Sequence, residues 1–206
     1  GTVATNGTDL MRAYRPRTTA DDDAIVARAK AWQSLKAREG WAGLHWSPDY
    51  GGQGMPAHLA GIFAEEENTF GVPGRFFQVG VDMVGPTIIE FGTDEQKQRY
   101  LPPLLAGDEI WCQLFSEPGA GSDLASLSTS AVRDGDEFIV NGQKVWTSLG
   151  HTADMGMLIA RTDPDVPKHQ GITWFAFDMH QPAHVDVRPL REMTGRALFN
   201  EVFMTD

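Results

Sequence analysis

Between residues 19 and 105 apolar side chains recur every three or four positions; beyond residue 110 they alternate in short runs broken by turn residues. The first regime predicts helices. Ile25, Ala29, Trp32 and Leu35 share one face of a helix over 19–39. Asp21-Asp22-Asp23 place negative charge in its first turn, where the helix dipole favours it, and Gly40 ends it. Residues 8–18, with Arg15-Pro16-Arg17, read as loop. The stretch 40–52 is rich in aromatics and turn residues, and its aromatics read as core plugs. Pro56 suits the first turn of a second helix whose apolar face is Leu59, Ile62, Phe63 and Phe70, with Glu65-Glu66-Glu67 solvated. After the turn Gly71-Val72-Pro73-Gly74, residues 76–91 are mostly apolar, which predicts a buried helix bent near Gly85-Pro86. Thr93 and Gln96 form a capping box for a helix over 94–105.

The second regime predicts eight strands, at 110–116, 126–133, 137–141, 143–149, 155–162, 172–179, 184–190 and 198–204. Asp134-Gly135-Asp136 and Asn141-Gly142 are hairpin signals between them. The expected fold class is α+β: an all-α domain over 1–109, then a small antiparallel β-barrel or sandwich over 110–206.

Composition narrows the choice of ligand. With 17 basic against 28 acidic residues the net charge is −11, which disfavours a nucleic-acid partner. An anionic ligand must then be held by local cations and backbone N–H groups. No apolar run is long enough to span a membrane, and residues 1–7 lack the basic and apolar regions of a signal peptide. A single cysteine, Cys112, reads as a packed strand residue and fits a reducing, cytoplasmic setting. The six histidines show no metal pattern, since Pro182 breaks the spacing of His180 and His184, so no metal is expected.

Chemistry concentrates where the first strand ends. Trp111-Cys112-Gln113-Leu114-Phe115-Ser116-Glu117-Pro118 leads into Gly119-Ala120-Gly121-Ser122-Asp123. Pro118 and the glycines stop the strand, and the loop offers backbone N–H groups with no Cβ to fend off an anion. It is neither a P-loop nor a dinucleotide fingerprint, because no Gly-Lys-Ser/Thr follows and Leu124 occupies the third glycine position. A second segment, Asn141-Gly142-Gln143-Lys144-Val145-Trp146-Thr147-Ser148, carries an indole and two hydroxyls.

Together these segments resemble the flavin-binding signature of the acyl-CoA dehydrogenase family. The likeness extends to the loop around Trp41 and Trp46, to 91–97 and to 188–204. The resemblance implies FAD as cofactor, held by Gln113, Phe115, Ser116, Gly121, Ser122, Trp146, Thr147 and Ser148. It also implies an acyl-CoA substrate touching Ser122, with Val79 and Met83 as candidate acyl-chain lining. The implied reaction is α,β-dehydrogenation with an electron-transfer flavoprotein or similar acceptor, in a homo- or hetero-oligomer. In the family the base is a glutamate in a later helical domain, and this chain holds no counterpart; Glu117 matches a loop residue. No catalytic residue is therefore assigned, and the chain alone is expected to be inactive. Two alternatives stay open: a non-catalytic flavin- or acyl-CoA-binding subunit, and a monooxygenase or nitroalkane oxidase of the same fold.

Overall fold

The computed structural model describes residues 19–193, Gly195 and 197–206, with side chains from Asp23 onward. The expectations for 8–18, for Asp21 and Asp22, and for Thr194 and Arg196 lie outside the described residues. Helices occupy the first part and strands the second, as an α+β chain.

Helix α1 (Thr19–Arg38) and α2 (Ala57–Thr69) are joined where Trp32 and Lys36 both donate to Glu67. Glu67 is thus an anchor, whereas Glu65 and Glu66 are solvated as expected. The predicted face of α1 is shifted: Ala29 is buried, but Leu35 is exposed and Gln33 is buried in its place. The reason is an orphan carbonyl. Leu105 lies in the last turn of a later helix and has no intrahelical partner, so Gln33 Nε2 donates to its oxygen at 3.0 Å. On α2 no residue is buried, and Ile62 and Phe70 are 55% and 77% exposed, against the expected core role. In the aromatic loop Trp46 is the core plug, while Trp41 lies exposed against Phe63 with centroids 5.2 Å apart.

The helix predicted over 76–91 is broken into a 3₁₀ turn (Gly74–Phe77), a π turn (Gly80–Val84) and α3 (Gly85–Phe91). Pro86 explains the break. In the π turn the Gly85 N–H reaches back to Gly80, and the next carbonyl, that of Val81, would need the N–H that proline lacks. The Trp46 indole supplies it, donating to Val81 O at 3.1 Å. Gly85 makes room for this ring, since a Cβ there would stand 1.9 Å from Trp46 Cζ2. Helix α4 (Asp94–Ala106) starts with the predicted capping box, both hydrogen bonds being present, and ends at Gly107 with φ 84°.

Seven strands form one curled mixed sheet: β1 (Trp111–Leu114), β2 (Ser130–Asp134), β3 (Glu137–Ser148), β4 (Met155–Arg161), β5 (Ile172–Asp178), β6 (Val185–Leu190) and β7 (Phe199–Met204). Strand β5 flanks β4 on one edge; on the other, β1 pairs with 155–158 and β2 touches Arg161. The order continues through β3 and β7 to β6. Most pairings are antiparallel, but β1 runs parallel to β4, so the sheet is mixed where antiparallel order alone was expected. Gly135-Asp136 makes the predicted hairpin, with Gly135 at φ 62°. Asn141-Gly142 does not turn; it lies inside β3, which merges two predicted strands. Its glycine has a packing role instead, because a Cβ would stand 2.4 Å from Thr129 Oγ1.

One apolar core runs through both parts, from Trp46, Val84 and Leu104 to Ile110, Trp111, Leu158 and Val202. Cys112 is fully buried within it, and burial pushes its thiol up to about 12, as suits a packing residue. Lys30 ties α1 to the sheet, donating to Asp108 O and to Asp154, whose carboxylate also accepts from the Ile110 N–H.

Candidate cofactor site

Strands β1 and β3 meet where the two sequence motifs lie. Beyond the end of β1, Ser116 O accepts from Val145 N at 2.9 Å. The residues following these two partners form the site. After Ser116 the chain makes a tight turn closed by two bonds, Glu117 N to Ala120 O at 2.9 Å and Ala120 N to Glu117 O at 3.1 Å. Pro118 and Gly119 are its exposed tip.

After Val145 comes Trp146. Regular alternation would place it on the same face as Lys144, which is completely buried. A bulge prevents this: three residues from Lys144 to Thr147 on β3 are matched to the two-residue step from Val202 to Asn200 on β7. Trp146 therefore takes φ 60°, an unusual conformation for a bulky residue, and its side chain turns outward, leaving the residue 63% exposed. Its one ring neighbour is Phe199, edge-on at 6.0 Å. A strained backbone presenting a large aromatic face to the outside is not what core packing would select.

A buried ion pair holds the two segments together. Lys144 Nζ donates to Glu117 Oε1 at 2.8 Å and to Phe115 O at 3.0 Å. The second Glu117 oxygen accepts from Ser128 N at 2.6 Å and Ser128 Oγ at 2.9 Å, and the first also accepts from Thr129 N at 3.0 Å. Burial pushes the Glu117 carboxyl up, but Lys144 and the Ser128 and Thr129 donors outweigh it and hold the group down at about 2. Burial pulls Lys144 below its ordinary value, opposed by Glu117. Glu117 is thus a charged pin for the loop.

The far side of the loop is held from β4 and the β4–β5 connection. Arg161 donates to Ala125 O at 2.6 Å and to Leu127 O and Lys168 O. Lys168 Nζ grips both oxygens of Asp123, at 2.8 and 2.7 Å, and so holds that carboxyl below its usual range together with Ser126. Between these anchors Gly121 and Ser122 stand exposed. A Cβ at Gly119 or Gly121 would meet no atom within 4 Å, and neither residue has positive φ, so nothing in the chain itself calls for glycine there. Close approach of a ligand to the backbone would.

The remaining sequence candidates distribute as follows. Gln113 lies on β1, half-buried, and Phe115 packs against the core. Ser148 is exposed at the end of β3. Thr147 is buried, with its hydroxyl unpartnered among the described residues and its carbonyl accepting from Asn200. Val79 packs on the core and Met83 is exposed. Neither lines the cavity of about 300 Å³ in the helical part, whose walls include Lys36, Trp41, Phe63, Glu67, Phe77 and Asp82. Sequence reasoning gave Lys144, Arg161 and Lys168 no role. For Lys144 a signal existed: a lysine inside a strand otherwise half-buried needs a partner. No group of residues suited to a metal ion and no helix long and apolar enough to cross a membrane occurs among the described residues.

An exposed indole and a glycine loop with open backbone thus lie on adjoining segments, joined through Ser116 and Val145. Residues 10–108 match the profile of the acyl-CoA dehydrogenase N-terminal domain and 112–206 that of its middle domain. The acyl-CoA dehydrogenase FadE34 of Mycobacterium tuberculosis is 49% identical over 201 residues, covering 96% of this chain and 28% of the relative. The crystal structure of the ChsE4-ChsE5 complex from Mycobacterium tuberculosis superposes with TM-score 0.79 at 35% identity, covering 100% of this chain and 55% of that one. A glutaryl-CoA dehydrogenase from Mycobacterium smegmatis in complex with FADH2 gives 0.70 at 26% identity, covering 99% of this chain and 53% of the other. The chain belongs to the acyl-CoA dehydrogenase family, and it spans less than half the length of the curated relatives it matches.

Proposed function

We propose that this chain is the flavin-holding portion of an FAD-dependent enzyme that dehydrogenates acyl-CoA thioesters, with a helical domain over 1–109 and a flavin-binding domain over 110–206. The observation that carries the reading is Trp146, turned outward at φ 60° by a bulge directly beside the Ser116 loop. Ser116 and Gln113 would meet the ring edge, Phe115 would flank it, and Trp146 would stack on it, with Thr147 and Ser148 adding polar contacts. Gly121 and Ser122 would admit the pyrophosphate, and Ser122 would also touch the acyl-CoA, whose chain Val79 and Met83 would border. When bound, FAD supplies the acceptor for a hydride from the substrate β-carbon.

The chain's own residues position and exclude; they do not abstract the α-proton. Glu117 is held down at about 2 and occupied by four donors, the opposite of the desolvated, raised carboxylate such a step requires. Asp82 is raised, by burial, but it lines the cavity of the helical part and not the Ser116 loop. In keeping with the family resemblance, the base is assigned to a segment beyond these residues, and this stretch alone is expected to show no turnover. The electron acceptor would be an electron-transfer flavoprotein or similar carrier, in an oligomeric assembly. The test is equilibrium binding of FAD to the complete polypeptide, read by flavin fluorescence, followed by anaerobic bleaching with an acyl-CoA. Absence of FAD binding refutes the proposal; binding without bleaching by any acyl-CoA favours a non-catalytic subunit.

A further inference from the structure

Lys144 is more than the loop requires. Burying an ammonium carries a large desolvation cost, and an apolar residue of similar volume would fill the same space without it. What the charge adds is its position. Nζ sits 3.0 Å from the carbonyl of Phe115, and that carbonyl belongs to the same peptide group as the Ser116 N–H. A cation on the oxygen draws electron density through the amide and makes its N–H a stronger donor. The Ser116 carbonyl is already occupied by Val145, whereas the Ser116 N–H has no acceptor among the described residues. Glu117 offsets only part of the effect, because Lys144 Nζ also donates directly to Phe115 O while the carboxylate is shared with the Ser128 and Thr129 donors.

We infer that Lys144 is a positioning residue that, through the peptide between Phe115 and Ser116, makes the Ser116 N–H a reinforced donor to the electron-rich edge of the flavin ring. This rests on the flavin reading above. The reduced ring carries more negative charge than the oxidised ring, so the reinforced donor holds the reduced form more tightly, and Lys144 sets the balance between the two.

The experiment uses the complete polypeptide loaded with FAD, as wild type, Lys144→Met, Glu117→Gln and the double variant. Midpoint potential is measured by dye-linked reduction and FAD affinity by fluorescence titration. Lys144→Met is expected to lower the preference for reduced over oxidised FAD about tenfold, a fall of ~30 mV for a two-electron couple. Glu117→Gln leaves the cation uncompensated and shifts the potential upward, and the double variant returns toward wild type. A role confined to holding the loop would weaken FAD binding in both single variants without opposite signs in potential; potentials that stay put or move together overturn the inference. If Lys144→Met retains no FAD, the direction of the Glu117→Gln shift decides. A wild type that binds no FAD defeats the flavin reading itself, and that result precedes any variant.

Discussion

Glu117→Gln has a second consequence, in the acid stability of the fold. The carboxyl is held at about 2 in the folded chain against an ordinary 4.5, because Lys144 and the Ser128 and Thr129 donors bind its charged form. A difference of that size corresponds to about 3 kcal/mol of stability at neutral pH. The same magnitude, roughly 3–5 kcal/mol, is typical when one partner of a buried ion pair is removed. The sign follows from proton uptake. Above pH 4.5 the group is charged in both states and the contribution is complete; from there down to about 2 the unfolded chain takes up a proton that the folded chain refuses, and stability is lost. Urea unfolding followed by tryptophan fluorescence at pH 7, 5, 4 and 3 measures the effect. The wild type should weaken below pH 4.5 with a slope approaching 1.4 kcal/mol per pH unit from this group alone. Glu117→Gln should be weaker at pH 7 but lose distinctly less on acidification, so that the two curves converge. Parallel curves would show that the pin titrates no differently in the folded and unfolded chain, and the reasoning would fail.

Three further outcomes follow from individual contacts. Gly85→Ala should destabilise the fold by about 1–3 kcal/mol, despite alanine's better helix propensity, because its Cβ displaces the Trp46 indole from Val81 O; a thermal melt reads it. Trp146→Ala should weaken FAD binding roughly two- to tenfold, as expected for losing one aromatic stacking contact, in a fluorescence titration of the complete polypeptide. Thr93→Ala should cost about 1 kcal/mol of stability by removing the oxygen that accepts from Gln96 N, measured by urea midpoint.

The change from three- and four-residue spacing to alternation separated the helical part from the strand part correctly. Local readings failed where a distant contact decided. Asn141-Gly142 has the chemistry of a turn, yet β2 and β7 both pair with that stretch and Thr129 needs the space beside the glycine. The helix over 76–91 showed its bend at Pro86 but not the π turn, which depends on an indole 35 residues earlier meeting the freed carbonyl. Of the candidate site, the loop and Trp146 were legible as residue types. The outward turn of Trp146 was not, since a bulge appears only when two strands are matched. Leu59, Ile62 and Phe70 share a helical stripe in sequence, but in the structure all three stay exposed.

The extra residue in β3 also bears on how the sheet assembles. Two alignments of β3 with β7 are open to the folding chain, one in even step and one offset by a residue, and they differ in whether the indole or a small hydroxyl faces the interior. The offset alignment holds Lys144 against Glu117 and turns Trp146 outward. The carboxylate in the loop after β1 is thus tied to the very strand whose extra residue sets the outward indole.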